Sequence, residues 1–227
     1  MFAPAVVAAR EATVNDRGRA TNPHIDWPLR RTPIDECHAW RDQLADVVDD
    51  EGTRLRALTK AEETFILHEQ LLAKIDYRYT AERWHVIAKE TQDAESIAPL
   101  WASQELFLAR IAALEQHHVE TSYPDGILIN VLKARQLGLS TLTQSLLAHR
   151  VTTQTSVRGL TAVSDQEQSK YLMSMAELIV RELPWWLKPK ELFHEKNQHI
   201  VFANEQGEPG SSVIVESGKS MKGALQD

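Results

Sequence analysis

The feature that most constrains the fold is a continuous apolar run, Ile127 to Leu132 (ILINVL), that leads into a basic loop and then into a helical segment. Such a run, bounded by Gly126, is typical of a strand buried on both faces of a parallel sheet. The segment from Ser140 to Arg150 is predicted to be a helix. This order of strand, loop and helix predicts an α/β fold with a crossover to another parallel strand.

The chain beyond this unit continues the alternation of strands and helices. The segment GLTAVS is predicted to be a second short buried strand, and Ser164 with Glu167 forms a capping-box pattern for a helix that stops at Pro184. HIVFAN and SSVIVES, joined by a turn containing GEPG, predict a hairpin or two neighbouring strands. Residues 121–227 are therefore assigned to one sheet-containing core.

The N-terminal half has a different character. Residues 1–30 are rich in turn formers and are expected to be an irregular or mobile arm. Residues 31–120 are predicted to be a helical lead-in, in which Thr59 and Glu62 form a capping box at the start of one helix.

Composition excludes several classes of protein. The formal net charge of −7 argues against a chain that binds nucleic acid strongly over its whole surface, since such binding depends on Lys and Arg neutralising phosphates. The single cysteine, Cys37, excludes an internal disulfide framework and a multi-cysteine zinc site. No stretch approaches the roughly 20 apolar residues that span a bilayer.

The basic loop, KARQLGLST, partly matches a phosphate-binding loop. Such a loop needs flexible glycine, backbone N–H groups curled around phosphate, a lysine, and a hydroxyl for magnesium. Gly138 and Ser140 occupy the second glycine and hydroxyl positions, whereas Leu139 takes the usual lysine position and Lys133 opens the loop. The alternative is a strand, turn and helix in which Lys133 and Arg135 are simply solvated, and the loop alone leaves both open.

Several further motifs carry a family resemblance. KARQLGLST has the form of a deviant Walker A motif in which lysine opens the loop. Three further segments occur around it in the matching order: LTKAEETFILHEQLLAKIDYRYTAERWHVI, PLWASQELFLARIAALE and AVSDQEQSKYLMSMAELIVRELPWWLKP. Together they resemble the large subunit of tailed-phage terminases, the DNA-packaging motors, over about residues 55 to 220.

The resemblance implies the first part of a P-loop ATPase core, with a RecA-like and mostly parallel sheet that is incomplete here. The implied cofactors are ATP and Mg²⁺. Lys133 would bind phosphate, Ser140 would help to hold magnesium, Gln104 would contact adenine, and Arg135 would stabilise charge on the transferred phosphoryl group. The implied nucleotide-binding set is Gln104, Lys133, Ala134, Arg135, Gln136, Leu137, Gly138, Leu139, Ser140 and Thr141.

The resemblance also implies partners. The complete family members package double-stranded DNA into procapsids, so the expected partners are this DNA, a small terminase subunit, a portal ring and further copies of the chain in a ring. The expected location is the host cytoplasm, in a phage or prophage context, without membrane contact. Two alternatives remain: a fragment of a helicase-like P-loop translocase, and a non-catalytic interaction module whose helical half docks terminase partners.

The chain departs from the family at the catalytic acids. A P-loop ATPase needs an aspartate at the end of an apolar strand to hold magnesium and a glutamate to activate water. The apolar strands end here in SDQ, ANEQ and ESGK, and neither Glu205 nor Glu216 belongs to such an acidic pair. The family's nuclease domain has no counterpart either. We therefore expect an N-terminal ATPase portion, truncated before Walker B, that binds nucleotide weakly and does not turn over ATP by itself.

The tryptophans of LPWWLKP have two possible roles. They could stack on nucleic acid. Because aromatic area is usually buried, we expect instead that Trp185 or Trp186 packs the end of the preceding helix back onto the sheet.

Overall fold

The computed structural model of the protein describes residues 19–22, 25–49, 52–88, 94–97, 100–121, 127–132, 137–195, 198–204 and 206–217. The helices are α1 (Ile34–Leu44), α2 (Lys60–Ile75), α3 (Tyr77–Trp84), α4 (Ala102–Thr121), α5 (Leu139–Thr153) and α6 (Gln166–Glu182). The strands are β1 (Arg19–Asn22), β2 (Ile25–Arg30), β3 (Val86–Ala88), β4 (Ala94–Ser96), β5 (Arg158–Val163), β6 (Glu191–Glu195), β7 (His199–Ala203) and β8 (Pro209–Ser217). The predicted mixture of helices and strands is confirmed.

The main sheet has the order β5-β8-β7-β6. β5 and β8 are parallel, with Arg158 opposite Ser212 and Val163 opposite Ser217. β7 is antiparallel to β8, as the predicted hairpin requires. It is also antiparallel to β6, a strand that was not predicted. The sheet is thus mostly antiparallel, and the prediction of a mostly parallel sheet was wrong. The reason is local: β7 and β8 are joined by a tight turn, and strands joined in this way can only pair antiparallel.

The apolar run that suggested the first strand does not form one. Ile127–Leu132 has no regular secondary structure, and Leu128 and Leu132 are 87% and 104% exposed relative to their reference areas. The prediction of a strand buried on both faces was therefore wrong. A strand needs a partner strand that accepts from its N–H groups and donates to its C=O groups, and no strand among the described residues pairs with this run.

β5 lies where a strand was predicted, but at the edge of the sheet. Leu160 is 57% exposed, so the prediction of a buried strand here was wrong. The apolar sequence of an edge strand does not reveal how many of its faces are covered.

The sheet packs on α5 and α6 through one hydrophobic core. Alternate residues of β7 and β8 point into this core, as the period of a strand requires. Its fully buried members are Ala148, Val151, Met173, Ala176, Ile179, Val180, Ile200, Phe202, Val213 and Val215.

The predicted capping box of α2 is confirmed. The Thr59 hydroxyl accepts from the Glu62 N–H at 3.3 Å, and the Glu62 carboxylate accepts from the Thr59 N–H at 2.7 Å. At α6 the predicted cap was one residue early, since Asp165 accepts from the Gln168 N–H at 2.9 Å. A carboxylate there also interacts favourably with the positive end of the helix.

The tryptophans after α6 join the sheet-containing part to the helical part. Trp186 is 5% exposed and meets Trp84 edge to face, with ring centroids 5.8 Å apart. The indole N–H of Trp185 donates to the Leu44 carbonyl at 3.0 Å. Trp186 is buried and Trp185 is half-buried, but Trp186 packs in a cluster with Leu44 and Trp84 of the helical part, so the prediction that they pack the end of the helix back onto the sheet was wrong.

Two small antiparallel pairs lie outside the main sheet. β1 pairs with β2 within the segment that was predicted to be an irregular arm, and β3 pairs with β4 within the predicted helical region. Residues 1–18, which make up most of that arm, lie outside the described residues. Among the described helices, none is long and apolar enough to cross a membrane.

Candidate nucleotide-binding site

The start of α5 lies at the carboxyl end of β5. The Gln144 amide donates to the Thr161 hydroxyl at 3.0 Å, and nearer the end of α5 the Leu147 side chain packs directly on Gly159. The helix therefore runs antiparallel to the strand, and its first residue points towards the edge where β5 ends. Ligands of α/β proteins bind outside the carboxyl ends of parallel strands, so this edge is the natural position for a site.

The backbone at the start of α5 has the form of an anion-binding turn. Gly138 caps the helix in the left-handed conformation, with φ 64° and ψ 10°, and no side chain caps the helix here. The first intrahelical hydrogen bond runs from the Leu142 N–H to the Gly138 carbonyl at 3.0 Å. Helix geometry thus leaves the preceding N–H groups, those of residues 139–141, without an intrahelical acceptor, and the helix dipole adds positive potential there.

The side chains of this first turn have different environments. Leu139 is 8% exposed and anchors the turn in a hydrophobic cluster with Leu108 and Leu142. Ser140 is exposed and Thr141 is half-buried. The hydroxyl that was predicted to hold magnesium is therefore accessible.

Gln104, on the first turn of α4, holds the loop. Its side-chain oxygen accepts from the Trp101 N–H at 2.8 Å, and its amide nitrogen donates to the Gly138 carbonyl at 3.0 Å. The residue is only 5% exposed. Next to it, the Ser103 hydroxyl donates to the Leu137 carbonyl at 3.3 Å. α4 is thereby fastened to both residues that precede α5.

Gly138 allows this close approach. A Cβ atom at this position would lie 2.7 Å from the Gln104 amide nitrogen, which is closer than van der Waals contact permits. A left-handed φ also favours glycine. The glycine is therefore required both for the backbone conformation and for the contact with Gln104.

The structure brings together one part of the predicted site. Six of the predicted residues lie at the start of α5 or contact it: Gln104, Leu137, Gly138, Leu139, Ser140 and Thr141. Lys133, Ala134, Arg135 and Gln136 lie outside the described residues. Their predicted contacts with phosphate therefore stay predictions.

Magnesium coordination by Ser140 also stays a prediction. Within the described ranges, no group of three or more His, Cys, Asp or Glu side chains could hold a metal ion. A single hydroxyl would need the nucleotide phosphates and water as further ligands, which is how Mg²⁺ is commonly bound. Glu216 lies half-buried in β8, and Glu205 lies outside the described residues.

Sequence reasoning missed a buried polar cluster that supports α5. The Ser145 hydroxyl contacts the Tyr77 hydroxyl at 2.9 Å and the Nδ1 atom of His85 at 2.7 Å. One turn further on, the Nε2 atom of His149 lies 2.7 Å from the Ala73 carbonyl and donates to it. These contacts fix α5 to the end of α2 and to α3, and no local pattern in the sequence indicates them.

His85 is uncharged in this cluster. Complete burial lowers the pKa of its imidazole from 6.5 to about 3, because the charged form would lose its hydration. His85 therefore adds no positive charge to the loop at neutral pH.

Comparison with known proteins does not assign the chain to a family. No protein-family model matches the chain, and no curated protein matches its sequence. The resemblance to terminases thus rests on the motifs of the chain itself.

Proposed function

We propose that the start of α5 is the phosphate-binding end of a nucleoside-triphosphate site in an ATP-driven DNA-packaging motor of the terminase type. The observation that carries this proposal is the left-handed Gly138 at the start of a helix, held through its carbonyl by Gln104. Both residues were selected from sequence motifs that are separated by a long stretch of chain. Their hydrogen bond supports the view that these motifs belong to one site.

The chemistry of the loop suits a triphosphate. The N–H groups of residues 139–141 point along the helix axis and can donate to phosphate oxygens. Ser140 is accessible for a magnesium ion that bridges the phosphates. Lys133, at the beginning of the loop, would neutralise phosphate charge, and Arg135 would stabilise the charge that develops during transfer.

The biological role follows from the resemblance. In this proposal the chain contributes to a ring of identical subunits that uses ATP to move double-stranded DNA through a portal ring. A small terminase subunit would deliver the DNA. The location would be the cytoplasm of a bacterial host. A helicase-like translocase would use the same nucleotide chemistry and differ in its partners.

One observation favours a second candidate, a non-catalytic interaction module. Leu128 and Leu132 are almost completely exposed within the run Ile127–Leu132, next to the candidate loop. Exposed aliphatic clusters of this kind mark protein contacts. If the loop has lost its function, this run and the helical half would carry the activity of the chain.

Calorimetric titration with a non-hydrolysable ATP analogue and Mg²⁺ separates these candidates. We expect saturable binding by the wild type and its loss in Lys133→Ala. Lys74→Ala, which removes an exposed lysine at the end of α2, is the matched control and should bind like the wild type. Binding that survives Lys133→Ala unchanged, or no binding by the wild type, would contradict the proposed site and favour the interaction module.

A further inference from the structure

We propose that Trp101 is the platform on which the nucleotide base stacks, and that the base is recognised by its face rather than by its hydrogen-bonding edge. This inference rests on the proposed triphosphate site. It deepens that site by assigning the base-binding residue and the resulting selectivity among nucleotides.

Trp101 lies beside the candidate loop with much of its ring free. A Cβ atom at Gly138 would lie 3.4 Å from both Cε3 and Cζ3 of the indole, so the six-membered part of the ring adjoins the turn that precedes α5. The residue is nevertheless 56% exposed. A large aromatic side chain that borders a site and stays open to solvent is suited to stacking on a planar ligand.

The backbone of Trp101 is fixed. Its carbonyl accepts from the N–H groups of Gln104 and Glu105, each at 2.9 Å, and its own N–H donates to the Gln104 side chain at 2.8 Å. The Glu105 carboxylate forms an ion pair with Arg78 of α3 at 2.6 Å, which ties this turn of α4 to the helical part. The backbone that carries the indole is therefore held in place before a base stacks on it.

Gln104 is poorly placed to read the edge of a base. Its oxygen is engaged by the Trp101 N–H and its nitrogen by the Gly138 carbonyl. With both polar atoms held by the backbone and only 5% of the residue exposed, Gln104 has little accessible edge to offer to adenine. Gln104 is thus a positioning residue that holds Trp101 and the loop together.

This arrangement predicts limited selectivity. Every base has a π-face, so that stacking tolerates base identity, and purines stack over a larger area than pyrimidines. We therefore expect ATP and GTP to bind with similar affinity and CTP to bind more weakly. A site in which the edge of adenine was read by a dedicated amide would reject GTP.

The test is calorimetry on the full chain, with magnesium and four probes: tripolyphosphate and the non-hydrolysable analogues of ATP, GTP and CTP. Trp101→Ala should weaken binding of the ATP analogue roughly 5- to 150-fold, the range of base–aromatic stacking by alanine substitution. Its affinity for tripolyphosphate should not change, because that probe has no base. Trp101→Phe should retain most of the affinity for the ATP analogue.

Leu106→Ala is the matched control, since it removes a 74% exposed side chain from the same helix and should change nothing. Equal binding of the ATP analogue by Trp101→Ala and the wild type, with tripolyphosphate still bound, would overturn the stacking role alone. Strong preference of the wild type for ATP over GTP would also overturn it. No binding of any probe to the wild type would overturn the proposed triphosphate site and the stacking role together.

Discussion

Replacing Gly138 with alanine is expected to destabilise the protein more than an ordinary substitution in a turn. Two effects combine at this position. The backbone has φ 64°, which L-residues with a Cβ adopt only under strain. The new Cβ would also lie 2.7 Å from the Gln104 amide nitrogen, so that the side chain of Gln104 must move.

The expected magnitude follows from these two effects. The left-handed conformation costs about 1–2 kcal/mol for a residue other than glycine. Displacing Gln104 from the Gly138 carbonyl costs a further 0.5–1.5 kcal/mol or so, the usual net contribution of one hydrogen bond. We therefore expect Gly138→Ala to lower the free energy of unfolding by about 1.5–3.5 kcal/mol.

Gly207→Ala is the control that isolates the backbone effect. Gly207 has φ 81°, and a Cβ there would meet nothing within 4 Å. Its replacement should cost only the strain of about 1–2 kcal/mol. Urea unfolding at 25 °C, followed by circular dichroism, measures both free energies.

A double-mutant cycle identifies the contact itself. In a Gln104→Ala background the Cβ added by Gly138→Ala no longer meets the amide nitrogen, and the cost of this substitution should fall to that of Gly207→Ala. If Gly138→Ala costs no more than Gly207→Ala in the wild-type background, the contact between Gln104 and the loop is not as described. A cost that is unchanged by Gln104→Ala would refute the reasoning in the same way.

Two further predictions concern the scaffold beneath the site. The pKa of His85 is about 3 in the folded protein and 6.5 when exposed, so between these pH values the imidazole is protonated in the unfolded state but not in the folded one. The contribution of His85 to the free energy of unfolding is therefore fully present above pH 6.5 and is lost as the pH drops towards 3. Between pH 6 and pH 5 the free energy of unfolding of the wild type, measured with urea, should therefore fall by an amount approaching 1.4 kcal/mol per pH unit. His85→Gln should lack this decrease. An equal dependence of the free energy of unfolding on pH in the two proteins would contradict the burial of a neutral imidazole. Glu69→Gln should lower the free energy of unfolding by about 2–4 kcal/mol, because its buried carboxylate accepts from the Thr32 hydroxyl, the Tyr79 hydroxyl and the Trp84 indole. Glu63→Gln, an exposed change on the same helix, should cost less than about 1 kcal/mol in the same measurement, and similar losses for the two variants would count against the network.

Features encoded by neighbouring residues were predicted correctly. The capping box of Thr59 and Glu62 and the hairpin formed by β7 and β8 each depend on residues close together in sequence. The helix predicted from Ser140 to Arg150 is found as Leu139–Thr153 for the same reason. Local hydrogen bonds and turn chemistry determine these elements, so that a single sequence contains the necessary information.

Features that depend on distant partners were predicted poorly. Ile127–Leu132 has the composition of a buried strand, yet whether it pairs depends on which other strand edge lies beside it. The contact of Ser145 with Tyr77 and His85 joins segments 60 to 68 residues apart, and no local pattern in either segment indicates the other as its partner. Gln104 was selected only through the family resemblance, and its hydrogen bond to Gly138 became visible only in the folded chain.

Hydrogen exchange at the first turn of α5 tests the central proposal most directly. The backbone N–H groups of residues 139–141 have no acceptor within the helix, so they should exchange rapidly in the free protein. On adding the magnesium complex of a non-hydrolysable ATP analogue, we predict that their exchange slows in the wild type and not in Lys133→Ala. Unchanged exchange at these three positions in the wild type, or equal protection in the two proteins, would contradict the assignment of this turn as a phosphate site.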